Sequence, residues 1–360
     1  MPLEPSGQIT LNDIATEFGG SVPHNLSEYY DVADGIPSSG QISLSNFYGA
    51  SASGGTGWDI STATYVQNFS VTAQESTPTG LFFKPDGTGM YIIGSSGDDI
   101  NEYSLSTAWD ISTATYVQNF SVSTQESTPT GLFFKPDGTG MYVIGSSGDD
   151  INQYSLSTAW DISTATYVQN FSVNTQESTP TGLFFKPDGT GMYVIGSRDD
   201  YLNQYSLSTA WDISTAVYVQ RFYVRNQAST ATGLFFKPDG TSVYVIGSKD
   251  DAMHQYSLST AWDISTTVYV QSFSVLAQEA GPAGLFFKPD GTSMYIIGYS
   301  GDDINQYSLS TAWDISAATY VQNFSVVAQE DSPRDLFFKP DGTSMYIIGS
   351  TGRAVWAYDL

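Results

Sequence analysis

Hydrophobic and polar positions repeat along this chain with a period of 51 residues. In the first copy, four short runs rich in β-branched and aromatic residues are bounded by turn residues, at 65–71, 80–83, 90–95 and 100–105. Such runs predict β-strands. A KPDGT phrase between the second and third runs predicts a tight hairpin, because proline presets φ and glycine accepts the left-handed position.

Four short strands in each repeat of about 50 residues, with no helical periodicity, are typical of radially stacked propeller blades. The sequence therefore predicts an all-β fold, a six-bladed β-propeller of four-stranded blades. The array begins with the 65–71 strand and ends with three strands between Leu336 and Tyr358. The first strand is therefore expected to complete the last sheet as its outermost strand, a clasp that closes the ring.

One tryptophan opens the phrase WDIS in each copy. The six are Trp58, Trp109, Trp160, Trp211, Trp262 and Trp313. Identical residues at identical spacing are what repetitive packing requires, so we expect each indole to lie between neighbouring blades. Its loss to alanine is expected to cost about 3–5 kcal/mol. Ligand stacking is the alternative role.

The copies differ mainly in two places: the stretch after the outermost strand and the GSSGDDIN connection between the runs at 90–95 and 100–105. Both emerge on the same face of a propeller. The fourth copy departs most, with Arg221, Tyr223 and Arg225 alternating along one side of a strand. Arginine and tyrosine dominate binding hot spots. The expected partner-binding surface comprises Arg198, Tyr201, Arg221, Tyr223, Arg225, Lys249 and His254, near Met253. Drift in a duplicated array is the alternative.

Composition excludes several classes of function. Asp plus Glu outnumber Lys plus Arg by 37 to 12, for a net charge of -25, which repels nucleic acid and anionic lipid. Cysteine is absent, so disulfides, thiolate nucleophiles and Cys-ligated zinc are excluded. No secretory signal and no apolar run of about 18 residues is visible, and the sequence predicts a soluble protein made in the cytoplasm.

Paired aspartates recur in the loops. The pairs are Asp98 and Asp99, Asp149 and Asp150, Asp199 and Asp200, Asp250 and Asp251, and Asp302 and Asp303. Clustered carboxylates suit calcium, but adjacent aspartates do not match the alternating ligands of an EF-hand loop. The pairs are interpreted as solvated turn residues, and no metal or cofactor is predicted.

Catalysis is considered because some six-bladed propellers are lactonases. The inner strands here are nearly identical, and only the last copy carries Arg334 and Asp335 where the others have Thr or Ala followed by Gly. A symmetric channel supplies rings of identical groups rather than a differently tuned acid and base. His24 and His254 have no evident catalytic partner. The sequence therefore predicts that the protein is not an enzyme.

Residues 1–50 share nothing with the repeat and contain no Lys or Arg. Thr10 and Asp13 predict the cap of a short helix. So small a unit, with few large apolar residues, is expected to order against the propeller, its own copies or a larger assembly. The Gly/Ser-rich stretch 51–57 is interpreted as a linker, which leaves 58–360 as the propeller.

The phrases SGQITLNDI at 6–14 and SGQISLSNF at 39–47 resemble a short module at the N-termini of structural proteins from tailed bacteriophages, particularly marine and cyanobacterial ones. The repeat is also similar to propeller repeats of such phage proteins and of bacterial surface proteins. The resemblance implies a virion protein, located in the particle, whose residues 1–50 attach to other virion proteins.

The expected function is thus a non-enzymatic tail fibre or other host-contacting appendage, whose propeller binds a host surface glycan or protein through the variable face. A homo-oligomer is possible, as in many fibres. A capsid-decorating protein and an enzyme that acts on polysaccharide are the alternatives.

Overall fold

The computed structural model describes residues 57–360, apart from positions 225, 226, 229 and 299, together with the isolated positions 10 and 14. The expected attachment module at 1–50, apart from those two positions, and the linker before residue 57 lie outside the described residues, as does Arg225. The described chain forms six four-stranded antiparallel sheets.

Each sheet is a blade whose strands pair in chain order from the axis outwards. The innermost strands are β2 (Pro78–Phe83), β6 (Pro129–Phe134), β10 (Pro180–Phe185), β14 (Ala231–Phe236), β18 (Pro282–Phe287) and β22 (Pro333–Phe338). The second strands are β3 (Gly89–Gly94), β7 (Gly140–Gly145), β11 (Gly191–Gly196), β15 (Ser242–Gly247), β19 (Ser293–Gly298) and β23 (Ser344–Gly349). We number the blades 1 to 6 in the order of their innermost strands.

The outer half of each blade follows the same plan. The third strands are β4 (Asp99–Leu105), β8 (Asp150–Leu156), β12 (Tyr201–Leu207), β16 (Ala252–Leu258), β20 (Asp303–Leu309) and β24 (Ala354–Asp359). The outermost strands are β5 (Ala114–Ser121), β9 (Ala165–Ser172), β13 (Ala216–Tyr223), β17 (Thr267–Ser274), β21 (Ala318–Ser325) and, in blade 6, β1 (Thr64–Ser70). Short 3₁₀ turns precede the outermost strands, at Ile60–Thr62, Ile111–Thr113, Ile162–Thr164, Ile213–Thr215, Ile264–Thr266 and Ile315–Ala317.

The predicted ring closure is confirmed. The N-terminal strand β1 pairs antiparallel with β24, with Tyr65 opposite Tyr358 and Ser70 opposite Ala354. The last sheet therefore has the order β1-β24-β23-β22, and the fold is a six-bladed β-propeller. Among the described residues, no helix is long and apolar enough to span a bilayer.

Burial decreases along each blade from the second strand outwards. In blade 1, every residue of β3 is buried, whereas β5 alternates between half-buried and exposed positions. This gradient follows the sequence, because the second strand is a continuous apolar run and the outermost strand alternates polar and apolar residues. The cores lie between adjacent blades, as for the cluster that joins Ile93 and Ile100 of blade 1 to Phe134 of blade 2.

The tryptophans pack between blades, as predicted. The ring of Trp160 stacks at 6.2 Å on Phe82 of blade 1 and lies 5.3 Å from Phe134 of blade 2, between ring centroids. The six tryptophans of the WDIS phrases lie on one face, which we call the lower face, with the KPDGT hairpins. On the opposite, upper face the innermost and third strands begin and the other two strands end.

Candidate functional site

The inner strand of blade 6 breaks the symmetry of the ring on the upper face. Each inner strand carries a bulge after its first residue, as between Pro78 and Gly80 in blade 1 and between Pro333 and Asp335 in blade 6. A bulge interrupts the alternation of side chains between the two faces of a strand. Consecutive residues, Arg334 and Asp335, can therefore line one cavity.

A cavity of about 220 Å³ lies among the inner strands of blades 6, 1 and 2. It is lined by Thr79, Gly80, Leu81, Phe82, Ile93, Thr130, Gly131, Leu132, Arg334 and Asp335. Arg334 and Asp335 supply its only charged side chains. The remaining wall consists of small and apolar residues and two threonines, so the charged pair governs the chemistry of this space.

Asp335 spans the junction between the last and first blades. One carboxylate oxygen accepts a hydrogen bond from the backbone N–H of Leu81 at 3.0 Å, and the other accepts from Leu336 N–H at 2.9 Å. Burial raises the pKa of Asp335 to about 6, although both N–H groups favour the ionised form. A carboxylate with a pKa near neutrality is suited to proton transfer.

Arg334 occupies the position at which blades 1 to 4 have a threonine and blade 5 has an alanine. In blades 2 and 3 the threonine hydroxyl donates to a backbone carbonyl of the next inner strand, as Thr181 does to Ala231 at 3.1 Å. Arg334 instead extends as an exposed side chain, and its Nε donates to Ser350 Oγ at 3.3 Å. The guanidinium is thereby held at the cavity by its own blade.

The structure brings together part of the predicted partner-binding surface. Tyr201, Arg221 and Tyr223 contact one another at the upper edge of blade 3, and Arg198 and Lys249 are exposed in nearby loops. His254 does not belong to this surface. It is 4% exposed, and its Nε2 contacts the carboxylate of Asp250. Met253 is also buried.

The interpretation of the paired aspartates as solvated turn residues is wrong for four blades. Asp99, Asp150, Asp200 and Asp303 are between 4% and 7% exposed. Asp200 accepts a hydrogen bond from the Thr230 N–H at 3.0 Å. Each of the other three accepts hydrogen bonds from two asparagine amides, as Asp99 does from Asn101 at 2.7 Å and Asn119 at 2.6 Å. The aspartate before each of these three takes the left-handed turn conformation, with φ of 50° at Asp98, as Asp200 itself does. Within residues 57–360, as far as they are described, no three acidic or histidine side chains are grouped to hold a metal.

Sequence reasoning noticed Arg334 and Asp335 but gave them no role. The sequence signal was present, because five copies of the repeat have two small residues at this place and the sixth copy has two charged ones. What the sequence did not show was the cavity that encloses them. Glu102 was missed altogether, although the equivalent residues of blades 2 to 5 are glutamines.

Comparison with solved structures identifies propellers of the same architecture. A candidate 6-phosphogluconolactonase of Bacteroides uniformis is 15% identical over 78% of this chain and 80% of its own, with a TM-score of 0.56. The periplasmic gluconolactonase PpgL of Pseudomonas aeruginosa is 16% identical over 78% and 81%, with a TM-score of 0.55. The Cps50 (Swd1) β-propeller domain of Myceliophteria thermophila is 11% identical over 83% and 99%, with a TM-score of 0.57. No protein-family model and no curated protein matches the chain.

The prediction of a non-enzymatic virion protein is contradicted by this comparison, since propellers that share the fold are named as lactonases. The channel is not symmetric, because Arg334 and Asp335 stand in blade 6 where blades 1 to 4 have threonine and glycine. Lactonases and other propellers share this fold, so the fold alone assigns no activity. The attachment role of residues 1–50, the phage resemblance and the virion location stay predictions.

Proposed function

We propose that this protein hydrolyses a small sugar lactone in the cavity between blades 6, 1 and 2, with Asp335 as general base. The observation that carries the proposal is the replacement of a Thr-Gly pair by Arg334 and Asp335 at the wall of this cavity. The fold shared with propellers named as lactonases supports it.

The size of the cavity selects the substrate class. Pockets for drug-sized ligands are typically about 300–1,000 Å³, whereas this one is about 220 Å³. A single sugar ring fits such a space, and a polysaccharide chain does not. The proposed substrate is therefore a monosaccharide lactone rather than a polymer.

The reaction consumes one water molecule. Ionised Asp335 takes a proton from water, and the water oxygen attacks the lactone carbonyl carbon to give a tetrahedral oxyanion. Collapse of this intermediate breaks the ring C–O bond, and the leaving alkoxide takes the proton from Asp335. The product is the open hydroxy acid, and the base is regenerated.

Arg334 is assigned to charge stabilisation. A guanidinium remains charged at all relevant pH values and presents several N–H donors. Negative charge develops on the carbonyl oxygen in the transition state and remains on the product carboxylate. A cation at the cavity lowers the free energy of the transition state and of the bound product.

The test is the hydrolysis of glucono-δ-lactone, followed by acid release in a weakly buffered indicator solution after subtraction of the uncatalysed rate. Asp335→Asn is expected to reduce kcat/KM by about 10²- to 10⁴-fold, because general-base catalysis contributes that range. The double variant Arg334→Thr with Asp335→Gly is expected to be at least as impaired. It places in blade 6 the pair that blades 1 to 4 already accommodate, so it should fold.

Two substitutions serve as controls. Asp331→Ser removes an exposed carboxylate at the entry of the same inner strand, and Arg198→Ser removes an exposed arginine of blade 3. Both restore the residue found in blades 1 and 2, and neither should change the rate. No lactone hydrolysis by the wild-type protein, or equal rates for it and the double variant, would refute the proposal.

A further inference from the structure

Blade 3 carries an aromatic and cationic platform on the upper face, formed by Tyr201, Arg221 and Tyr223. The guanidinium carbon of Arg221 lies 4.0 Å from the ring centroid of Tyr201. The centroids of the Tyr201 and Tyr223 rings are 4.9 Å apart. Arg221 is exposed and Tyr223 is 39% exposed, while Tyr201 is half-buried. The platform therefore faces solvent.

The platform replaces a hydrogen-bonded network of the repeat. At the equivalent positions of blade 2, the Asp150 carboxylate accepts from the amides of Asn152 at 2.6 Å and Asn170 at 2.5 Å. Strand pairing is in the same register in both blades, with Tyr223 where blade 2 has Ser172. All three positions have thus changed, and the new side chains of Arg221 and Tyr223 both contact that of Tyr201. Independent drift at three positions has no reason to produce such contacts.

Acidic charge is less dominant along this part of the ring. Six of the twelve basic residues are hairpin lysines, each paired with the aspartate two residues later at 2.7 to 3.0 Å. Four of the other six lie between Arg198 and Lys249. Over the same arc, Tyr201, Ala228 and Ala252 stand where blades 1 and 2 have acidic residues, although Asp199 and Asp250 replace glycines. In a chain of net charge -25, basic side chains here offset the acidic ones, and Arg221 is the exposed cation of the platform.

We propose that this platform binds an acidic saccharide, a chain of uronate residues. A guanidinium stacked on an aromatic ring keeps its in-plane N–H donors at the edge, where they pair bidentately with a carboxylate. Exposed tyrosine rings offer apolar faces to the C–H groups of a pyranose, with hydroxyls at their edges. An anion that has no pyranose ring would contact only Arg221 and would not use the tyrosine rings. The site is separate from the axial cavity and does not depend on its activity.

The experiment is calorimetric titration of the full chain with tetragalacturonate at low salt. The triple variant Tyr201→Asp, Arg221→Asn and Tyr223→Ser restores the residues of blade 2, so its sheet receives a side-chain set that the repeat already accommodates. We expect this variant to bind about tenfold more weakly or worse. Added salt is expected to weaken wild-type binding, because the arginine is exposed and screened.

Two comparisons complete the test. The neutral tetrasaccharide maltotetraose is expected not to bind. The Arg334→Thr and Asp335→Gly variant is expected to bind the uronate as the wild type does, which separates this site from the proposed hydrolysis. The proposal is overturned if the wild type does not bind the uronate, if the triple variant binds undiminished, or if maltotetraose or a tetraglutamate peptide binds equally well.

Discussion

The glycine of each KPDGT hairpin is held by the tryptophan that packs on it. Gly138 has a φ of 73°, as the hairpin requires. A Cβ at this position would lie 2.3 Å from Nε1 of Trp160, and the backbone N–H of Trp160 donates to the Gly138 carbonyl at 3.0 Å. The residue is thus fixed by backbone conformation and by the indole together.

Gly138→Ala is expected to lower the free energy of unfolding by about 2–4 kcal/mol. About 1 kcal/mol comes from the left-handed conformation and about 1–3 kcal/mol from displacement of a packed indole. Urea denaturation measures the loss. The control is Gly140→Ser in the same hairpin, where a Cβ meets no atom closer than 3.6 Å and where blades 4 to 6 have serine. Similar losses for the two variants would contradict the role given to the indole.

Asp335 is expected to give lactone hydrolysis a distinct pH dependence. The base must be ionised, and its pKa is raised to about 6 by burial. The rate kcat/KM should therefore rise about tenfold per pH unit below pH 6 and level off above it. Initial rates between pH 4.5 and 7.5 measure this profile. A midpoint near 4, where an exposed aspartate titrates, would show that Asp335 is not the base.

The same shift affects stability, with a sign that follows from linkage. The folded state prefers protonated Asp335, because its pKa lies above the ordinary value of 3.8 for an aspartate. The resulting stabilisation is present below about pH 4 and is lost as pH rises through about 6. Between pH 4 and 7.5, the unfolding temperature of Asp335→Asn should therefore rise relative to that of the wild type, because only the wild type loses this stabilisation. A difference between the two proteins that does not change with pH would contradict this account of the Asp335 carboxylate.

Four of the six blade junctions are joined on the lower face by a glutamine. The junction of blades 1 and 2 carries a glutamate instead, and that of blades 6 and 1 has an alanine, Ala357. In blade 2, the amide of Gln153 donates to the carbonyl of Trp211 at 3.0 Å, and its oxygen accepts from Ile213 N–H at 3.1 Å. In blade 1, Glu102 accepts from Ile162 N–H at 3.1 Å and from Gln118 at 2.8 Å. An ionised carboxylate has no proton to donate to the next tryptophan carbonyl.

Glu102→Gln is expected to stabilise the protein at neutral pH by about 1 kcal/mol, the net contribution of one hydrogen bond. Burial raises the pKa of Glu102, and nearby Asp161 raises it further, against the hydrogen bonds from Gln118 and Ile162. The protonated acid is therefore favoured by folding, and its contribution falls as pH rises above the ordinary range of a glutamate. Thermal unfolding of both proteins between pH 4 and 8 measures the difference.

The gain from Glu102→Gln should shrink as pH falls, because the protonated glutamate can itself donate a hydrogen bond. Gln153→Glu is the converse variant, and it should introduce the same pH dependence at the junction of blades 2 and 3. A gain that does not vary with pH would show that the carboxylate charge is not its cause.

At the scale of the whole molecule, stability depends on the ring being closed by strands from both ends of the propeller. The last sheet contains β1 and β24, which lie at opposite ends of the sequence. Its remaining geometry repeats that of the other blades. The Leu360 N–H donates to the Thr343 carbonyl at 2.9 Å, as the Leu105 N–H does to Thr88. Blade 6 is therefore built like the other blades, except that its outermost strand comes from the other end of the propeller.

A circular permutant tests this equivalence. It begins at Ala73, runs to Leu360, and continues through Ser-Thr-Ala, the residues at 106–108, into 58–72. The unfolding temperature should stay within about 5 °C of that of residues 57–360, since exposed loops tolerate new termini. The matched deletion, residues 73–360 alone, leaves β24 as an unpaired edge and should unfold at a much lower temperature or aggregate. Equal stability of the two would contradict the closure.

By itself, the sequence determined the repeat, the strand assignment, the number of blades and the closing strand. These depend on local preference and on a pattern repeated six times, so each copy supports the interpretation of the others. The predicted third run, 90–95, and the observed strand Gly89–Gly94 differ by one residue at each end. The tryptophan packing followed from the same repetition.

Only the tertiary structure decided where chemistry takes place. Asp335 gains its raised pKa from a cavity built by three blades, and one of its hydrogen bonds comes from Leu81, 254 positions away in the sequence. The burial of His254 and of Asp99 likewise depends on neighbouring strands and loops. Burial, cavity volume and electrostatic environment are properties of groups brought together across the ring, and no stretch of sequence contains them.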